Sequence, residues 1–137
     1  MAAIRGSHTK PELLVRKAMH GAGLRFRLHA RDLPGKPDLV FPRWHAAVFV
    51  NGCFWHQHDC HLFKWPGTRQ EFWRGKICRN VENDAKAIQA LREAGWRIAV
   101  VWECALKGRT RLDETEAMQR LSVWIRSGES NLTIRGE

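Results

Sequence analysis

The chain has no tyrosine, a shortage of acidic residues and no long hydrophobic run. Its most apolar stretches, Ala46–Val50 and Ile98–Trp102, have the length of strands, far short of the roughly 20 residues a membrane-spanning helix needs. The N-terminus lacks the apolar core of a secretory signal, so the expected location is a reducing cytoplasm, with no membrane partner. No internal repeat, low-complexity segment or linker interrupts the 137 residues. That length suits one domain whose core does not rely on disulfides. With 14 acidic against 23 basic side chains the formal charge is +9, which suits a polyanion, and nucleic acid is the expected partner. The missing tyrosine contrasts with seven tryptophans. Trp55, Trp65 and Trp73 stand in polar company, which favours stacking surfaces over pure core.

Cysteine occurs four times, at positions 53, 60, 78 and 104. An even count permits two disulfides, but the reducing compartment and the histidines between the first two favour a metal. Cys53, His58 and Cys60 form a C-x4-H-x-C cluster, and Cys104 stands at the end of an apolar strand. Three thiolates and one imidazole make a closed tetrahedral zinc set, and these four are the expected ligands. Such a zinc would be structural, tying a polar loop that cannot order itself to a distant strand. His56 and His61 are rival ligands, and free cysteines beside a chance histidine cluster are the plainer alternative. Cys78, inside a long helix, is expected to be a buried thiol.

Met1–His8 is basic, small-residued and aperiodic, and reads as an arm. Thr9-Lys-Pro-Glu12 has the form of a capping box opening a helix, with Leu13, Leu14, Ala18 and Ala22 on one face and Gly21 and Gly23 ending it. Leu24–His29 alternates apolar and polar, as a half-buried strand does. After the turn-rich Leu33-Pro-Gly-Lys-Pro-Asp38, a second strand covers Asp38–Phe41, Pro42–His45 turns, and Ala46–Val50 forms a third strand. If these two strands make a hairpin, facing residue numbers sum to roughly 87. Asp38 then lies opposite Phe49, within reach of the backbone of Val50 and Asn51. Thr68-Arg-Gln-Glu71 is a second capping-box signature, opening a helix to about Ala94 with Gly95 closing it. Its expected apolar stripe is Ile77, Val81, Ala85, Ile88 and the stem of Arg92, bordered by Trp73, Asn80 and Asp84, with Lys76 further round. Arg97–Trp102 reads as a buried strand and Asp113–Arg126 as an amphipathic helix. The expected order is α-β-β-β-α-β-α, with Ser127–Glu137 as a flexible C-terminal tail.

A carboxylate entering one strand, a second strand ending beside it and Glu12 on the preceding helix suggest a metal-dependent nuclease core. Asp38 would bind a catalytic Mg²⁺, a hard ion that takes oxygen ligands, and the Val50 carbonyl could complete the protein's share. His56 is placed to orient or deprotonate water, since imidazole titrates near neutral pH. The plainer readings are a turn-stabilising aspartate at 38 and a merely capping Glu12.

Taken together, Leu33-Pro-Gly-Lys-Pro-Asp38, Asn51-Gly-Cys-Phe-Trp-His56, Thr68-Arg-Gln-Glu-Phe-Trp73, Lys76, Asn80-Val-Glu-Asn-Asp84 and Val101-Trp-Glu-Cys-Ala-Leu106 resemble the very short patch repair endonucleases. The resemblance covers about residues 1–126, and the joint occurrence of these motifs is highly specific. It implies an α/β fold with a PD-(D/E)xK-like nuclease core, αβββαβ plus a C-terminal helix, and a structural zinc. The implied organisation is an arm over 1–8, an endonuclease domain over 9–126 and a flexible tail over 127–137. The implied activity is Mg²⁺-dependent nicking of double-stranded DNA 5′ to the thymine of a T:G mismatch, by a monomer acting in the bacterial cytoplasm at the nucleoid.

Position by position, the resemblance makes Asp38 the essential Mg²⁺ carboxylate with the Val50 carbonyl as its partner. It makes His56 the catalytic histidine and Glu12 an acid near the active site. Cys53, His58, Cys60 and Cys104 match the zinc ligands. Phe54, Trp55 and Trp73 match aromatics that wedge into the base stack, where a mismatch lowers the cost of unstacking. Lys76 and Asn80 on the helix, and Met1 and Ile4 in the arm, are the further expected DNA contacts. Asn51 departs from the pattern. It stands where the best-studied family members have a second active-site histidine, and it can hydrogen-bond a phosphate or water but cannot exchange a proton near pH 7. Family members usually carry a further N-terminal segment that helps clamp DNA, of which Met1–His8 would be a remnant. Two alternatives stay open: a nuclease of the same fold with another lesion or site preference, and a zinc-stabilised DNA-binding module that has lost cleavage.

Overall fold

A computed structural model of the protein describes residues 10–53 and 67–136. In chain order the elements are α1 (Lys10–Gly21), β1 (Arg27–Leu28), β2 (Leu39–Phe41), β3 (Ala46–Asn51), α2 (Gln70–Glu93), β4 (Arg97–Trp102), α3 (Glu114–Ser127) and β5 (Asn131–Ile134). One five-stranded sheet runs in the order β1-β2-β3-β4-β5. β2 runs antiparallel to both its neighbours, β1 and β3, while β4 and β5 run parallel to β3, so the sheet is mixed.

The β2–β3 hairpin has the expected register: Leu39 faces Val48, Val40 faces Ala47 and Phe41 faces Ala46. Pro42 sets a single 3-10 turn through Trp44, and His45 reverses the chain with a left-handed φ of 50°. Beyond it the alternation of strand side chains sorts the core into two layers. Ala46, Val48, Ala99 and Val101 face α1 and α3, meeting Val15, Met19, Ala117, Leu121 and Ile125. Ala47 and Ile98 face the other way, onto Leu91 and Ile88 of α2. A sheet covered on both faces explains why β3 and β4 read as continuous apolar runs.

Helix α2 ends as expected. Gly95 adopts φ 92°, its N–H donates to the Arg92 carbonyl and the Trp96 N–H to that of Leu91, which is the Schellman pattern. Its start and its buried face differ from expectation. The N-cap is Arg69 in a left-handed conformation with no side-chain cap, in place of the Thr68–Glu71 capping box. The inward face carries Ile77, Ala87 and Leu91 with half-buried Asn80, Asp84 and Ile88, whereas Val81, Ala85 and Arg92 are exposed. Two stripes share Ile77 and satisfy helical spacing. The one containing two polar residues is turned inward, and its Ala87 and Leu91 give the closer fit to the sheet. Cys78, on the opposite side, is exposed and not the buried thiol expected.

The C-terminus also corrects the reading of a flexible tail. Asn131–Ile134 pairs in parallel with Ile98–Val101 as β5, and Ile134 is fully buried. Asp113 caps α3 by accepting from the Glu116 N–H at 3.0 Å. At the other end of that helix the Arg97 guanidinium stacks on the Trp124 ring and donates to the carbonyls of Trp44, Trp124, Ile125 and Glu129. One side chain thereby satisfies carbonyls that the helix end would otherwise leave without donors.

Candidate active site

The approach to Asp38 is fixed by close packing. Gly35 has φ 73°, and a Cβ there would stand 2.6 Å from Ala87 Cβ and 3.3 Å from the Phe49 ring. Only glycine lets the Leu33–Asp38 turn lie this tightly against α2 and β3. From that turn the chain enters β2 with Ala30 and His29 still hydrogen-bonded across to it, the His29 N–H donating to the Asp38 carbonyl at 3.0 Å. The β1–β2 register, which pairs Leu28 with Leu39, therefore sets His29 directly opposite Asp38.

The Asp38 side chain turns the other way, to β3. Its Oδ2 accepts from the Val50 N–H at 2.7 Å. This is the contact that the hairpin register anticipates. Burial pushes the Asp38 pKa up to about 7; the Val50 N–H pulls against that shift, and the neighbouring Glu12 carboxyl adds to it. Glu12 comes from the first turn of α1 and is only 2% exposed. Its Oε2 lies 2.7 Å from His29 Nε2 and 3.5 Å from an Arg16 nitrogen. Donor atoms of Glu12, His29 and Asp38 all lie within 4.8 Å of one another.

Two carboxylates and an imidazole gathered this closely, mostly out of water, form a donor set suited to a divalent cation. The raised Asp38 pKa is the cost of holding that carboxylate without a compensating charge, so the residues present fit a metal. His29 is the member that the alternating pattern conceals, since it reads as the polar side of a strand. Extending the hairpin arithmetic from β2–β3 to β1–β2 would have placed it beside Asp38.

Val50 and Asn51 close β3, both half-buried, with Asn51 level with Trp102 in the parallel ladder. Cys53 and Cys104 follow the ends of these two parallel strands, each two residues past the last pair, and both cysteines are fully buried. The Cys53 N–H donates to Glu103 Oε1 at 3.2 Å, and Lys107 Nζ stands 3.7 Å from Glu103 Oε2. Glu103 thus braces the exit from β3, a role the Val101–Leu106 motif does not announce. The Gly136 N–H donates to Cys104 Sγ at 3.3 Å, the kind of bond a thiolate ligand accepts. Two of the four expected zinc ligands are therefore brought to one end of the sheet.

On α2, Trp73, Lys76 and Asn80 are half-buried along the inward-turned side. The adjacent Phe72 is 47% exposed, with the Arg69 guanidinium 4.6 Å above its ring and Trp73 edge-on at 5.2 Å. An exposed aromatic beside Arg69 at the start of α2 is a stacking candidate next to the expected Trp73. Met1, Ile4, Phe54, Trp55, His56, His58 and Cys60 lie outside the described residues. Among the described residues, no helix is long and apolar enough to cross a membrane.

Comparison with known proteins gives a consistent picture. Residues 1–62 match the family described as DNA mismatch endonuclease Vsr. The chain is 46% identical to the DNA mismatch endonuclease Vsr of Escherichia coli K12 over 125 residues, spanning 91% of this chain and 80% of that protein. It is 47% identical over 106 residues to the type II nicking enzyme V.XorIIP of Xanthomonas oryzae pv. oryzae, covering 77% of this chain and 78% of the relative. With the type II nicking enzyme V.NmeAIP of Neisseria meningitidis serogroup A the identity is 40% over 109 residues, 80% of this chain and 78% of the relative.

Proposed function

The chain belongs to the Vsr family of DNA mismatch endonucleases and is an endonuclease; from that premise we propose that it nicks one strand of duplex DNA 5′ to the thymine of a T:G mismatch, with Mg²⁺ at Asp38. The observation that carries this reading is the half-buried Asp38 carboxyl, held by the Val50 N–H and crowded by the buried Glu12, at the place where two strands end side by side.

In this reading Asp38 and the Val50 carbonyl hold the cation, with Glu12 beside them. A bound divalent ion offsets charge on the scissile phosphate and lowers the pKa of a water. The other work belongs to side chains. His56 orients the attacking water and takes its proton, a role for which imidazole is suited at neutral pH. Asn51 hydrogen-bonds the phosphate or the water without exchanging a proton. Phe54, Trp55 and Trp73 enter the base stack, and the weaker stacking at a mismatch favours that site over matched DNA. Lys76, Asn80, Met1 and Ile4 contact the duplex and fix its register. A structural zinc on Cys53, His58, Cys60 and Cys104 keeps the strand end and its loop in place, which the burial of Cys53 and Cys104 at one end of the sheet supports. The enzyme acts as a monomer, since one strand is cut, and works at the bacterial nucleoid.

The test compares duplexes carrying T:G or T:A, with Mg²⁺ or with EDTA, for wild type and Asp38→Ala. Nicking of T:G alone, dependent on Mg²⁺ and lost in Asp38→Ala, is the expected result. Equal cutting of T:A would remove the mismatch specificity, and an active Asp38→Ala would remove the active-site assignment. Metal analysis of protein purified without chelator should find about one zinc per chain.

A further inference from the structure

We infer that His29 is a direct ligand of the active-site cation and biases the site toward Mn²⁺ over Mg²⁺. This inference rests on the reading of Asp38 as a cation ligand and adds a third donor of different chemistry.

The argument begins with the backbone. His29 is not a surface histidine that happens to approach an acid. Its N–H is committed to the Asp38 carbonyl, and its φ of 47° is left-handed, a conformation that costs a non-glycine residue free energy. The hairpin ladder thus sets His29 opposite Asp38. The imidazole then reaches into the protein, with Nε2 2.7 Å from the buried Oε2 of Glu12. In a six-coordinate ion with bonds of about 2.1 Å, neighbouring ligands stand about 3 Å apart and opposite ones about 4.2 Å. Glu12 and His29 already place donors 2.7 Å apart, and all three donors lie within 4.8 Å, so the set closes on such an ion with shifts of at most about 2 Å.

The donor types decide which ion. Mg²⁺ takes oxygen ligands, keeps several waters and gains little from imidazole. Mn²⁺ has the same charge, accepts octahedral sites and binds carboxylate well. Among the ions that favour carboxylate and water it is the first-row transition ion. It stands at the start of the series whose later members favour imidazole, so a nitrogen ligand costs it less than it costs Mg²⁺. Two carboxylates and one imidazole leave positions for water and a phosphate oxygen. The competing role for His29 is a plain hydrogen-bonding partner of Glu12, and that role makes no distinction between the two ions.

The experiment uses the full chain with its zinc retained, and three variants: His29→Gln, which keeps an amide donor toward Glu12, the shorter His29→Asn, and Asp38→Ala. Mn²⁺ and Mg²⁺ affinities are measured by calorimetry. Pulsed EPR on bound Mn²⁺ reports imidazole nitrogen at the ion. Wild type should bind Mn²⁺ about tenfold or more tighter than Mg²⁺, and both His29 variants should lose about tenfold in Mn²⁺ affinity with Mg²⁺ little changed. The nitrogen signal should weaken with the histidine. An unchanged Mn²⁺ to Mg²⁺ ratio in either folded variant, or an unchanged nitrogen signal, overturns the inference while leaving Asp38 as a ligand. Undiminished binding of both ions by Asp38→Ala overturns the underlying reading instead.

Discussion

Asp38 is where a single residue carries the tension of the site. Its pKa is about 7 against an ordinary 3.8, so the folded protein holds a proton there that the unfolded chain has released. For a carboxyl shifted upward, the stability it contributes is present below pH 4 and is lost as the pH rises toward 7. The span corresponds to on the order of 4 kcal/mol for the metal-free protein. Asp38→Asn keeps an oxygen for the Val50 N–H and removes the charge. Metal-free Asp38→Asn is therefore expected to melt above wild type at pH 8 and close to it at pH 4; a lower melting point at pH 8 would show that the carboxylate is stabilised by something else. Cation binding near pH 6 should release a proton, seen as a buffer-dependent binding heat. The sequence made this residue legible because a hairpin's register is simple arithmetic once its turn is located. It did not make His29 legible, because the alternation of Leu24–His29 assigns it to the polar side of a strand, and the strand that forms is only Arg27–Leu28, too short to announce the register that sets His29 beside Asp38.

Among the elements, α2 is the one whose orientation periodicity alone left undecided. Ile77, Val81, Ala85 and Ile88 form a stripe at helical spacing, and so do Ile77, Asn80, Asp84, Ala87 and Leu91. Composition favours the first, but the sheet and the Leu33–Asp38 turn select the second, because Ala87 is the residue small enough to meet Gly35. The consequence is measurable. Val81→Glu, at an exposed position, should change stability by no more than about 0.5 kcal/mol. Ala87→Leu forces bulk against Gly35 and should cost about 1–3 kcal/mol in urea or thermal unfolding. It should also weaken cation binding, since the displaced turn is the one that delivers Asp38. Comparable losses from both substitutions would mean that the helix presents the other face. The capping box at Thr68–Glu71 failed for a related reason: four matching residues specify a cap only when the chain enters the helix extended, and Arg69 enters left-handed.

Across the whole molecule, the sheet gathers distant pieces of chain at one end. The parallel strands β3 and β4 bring Cys53 and Cys104 to the same end of the sheet, and the chain after β5 leads Gly136 back to Cys104. A four-residue alternating segment near a terminus looks like a tail in the sequence, because nothing local reveals that β4 has an open edge waiting for it. Once paired, it makes the C-terminal residues part of the support for the proposed zinc site. Gly136 is the point of contact: a Cβ there would collide with the Cys104 carbonyl, Thr110 Oγ1 and the Thr110 carbonyl. Gly136→Ala must therefore lift the strand end away and break the bond to Cys104 Sγ. Loss of such a supporting bond costs about 10–100-fold in metal affinity. Zinc release to a chromogenic chelator should accelerate by at least that lower factor in Gly136→Ala, and by more when residues 131–137 are deleted, with the Asp38 site still binding its cation in the alanine variant. Zinc retention equal to wild type in both variants would show that Cys104 is held without the C-terminal strand.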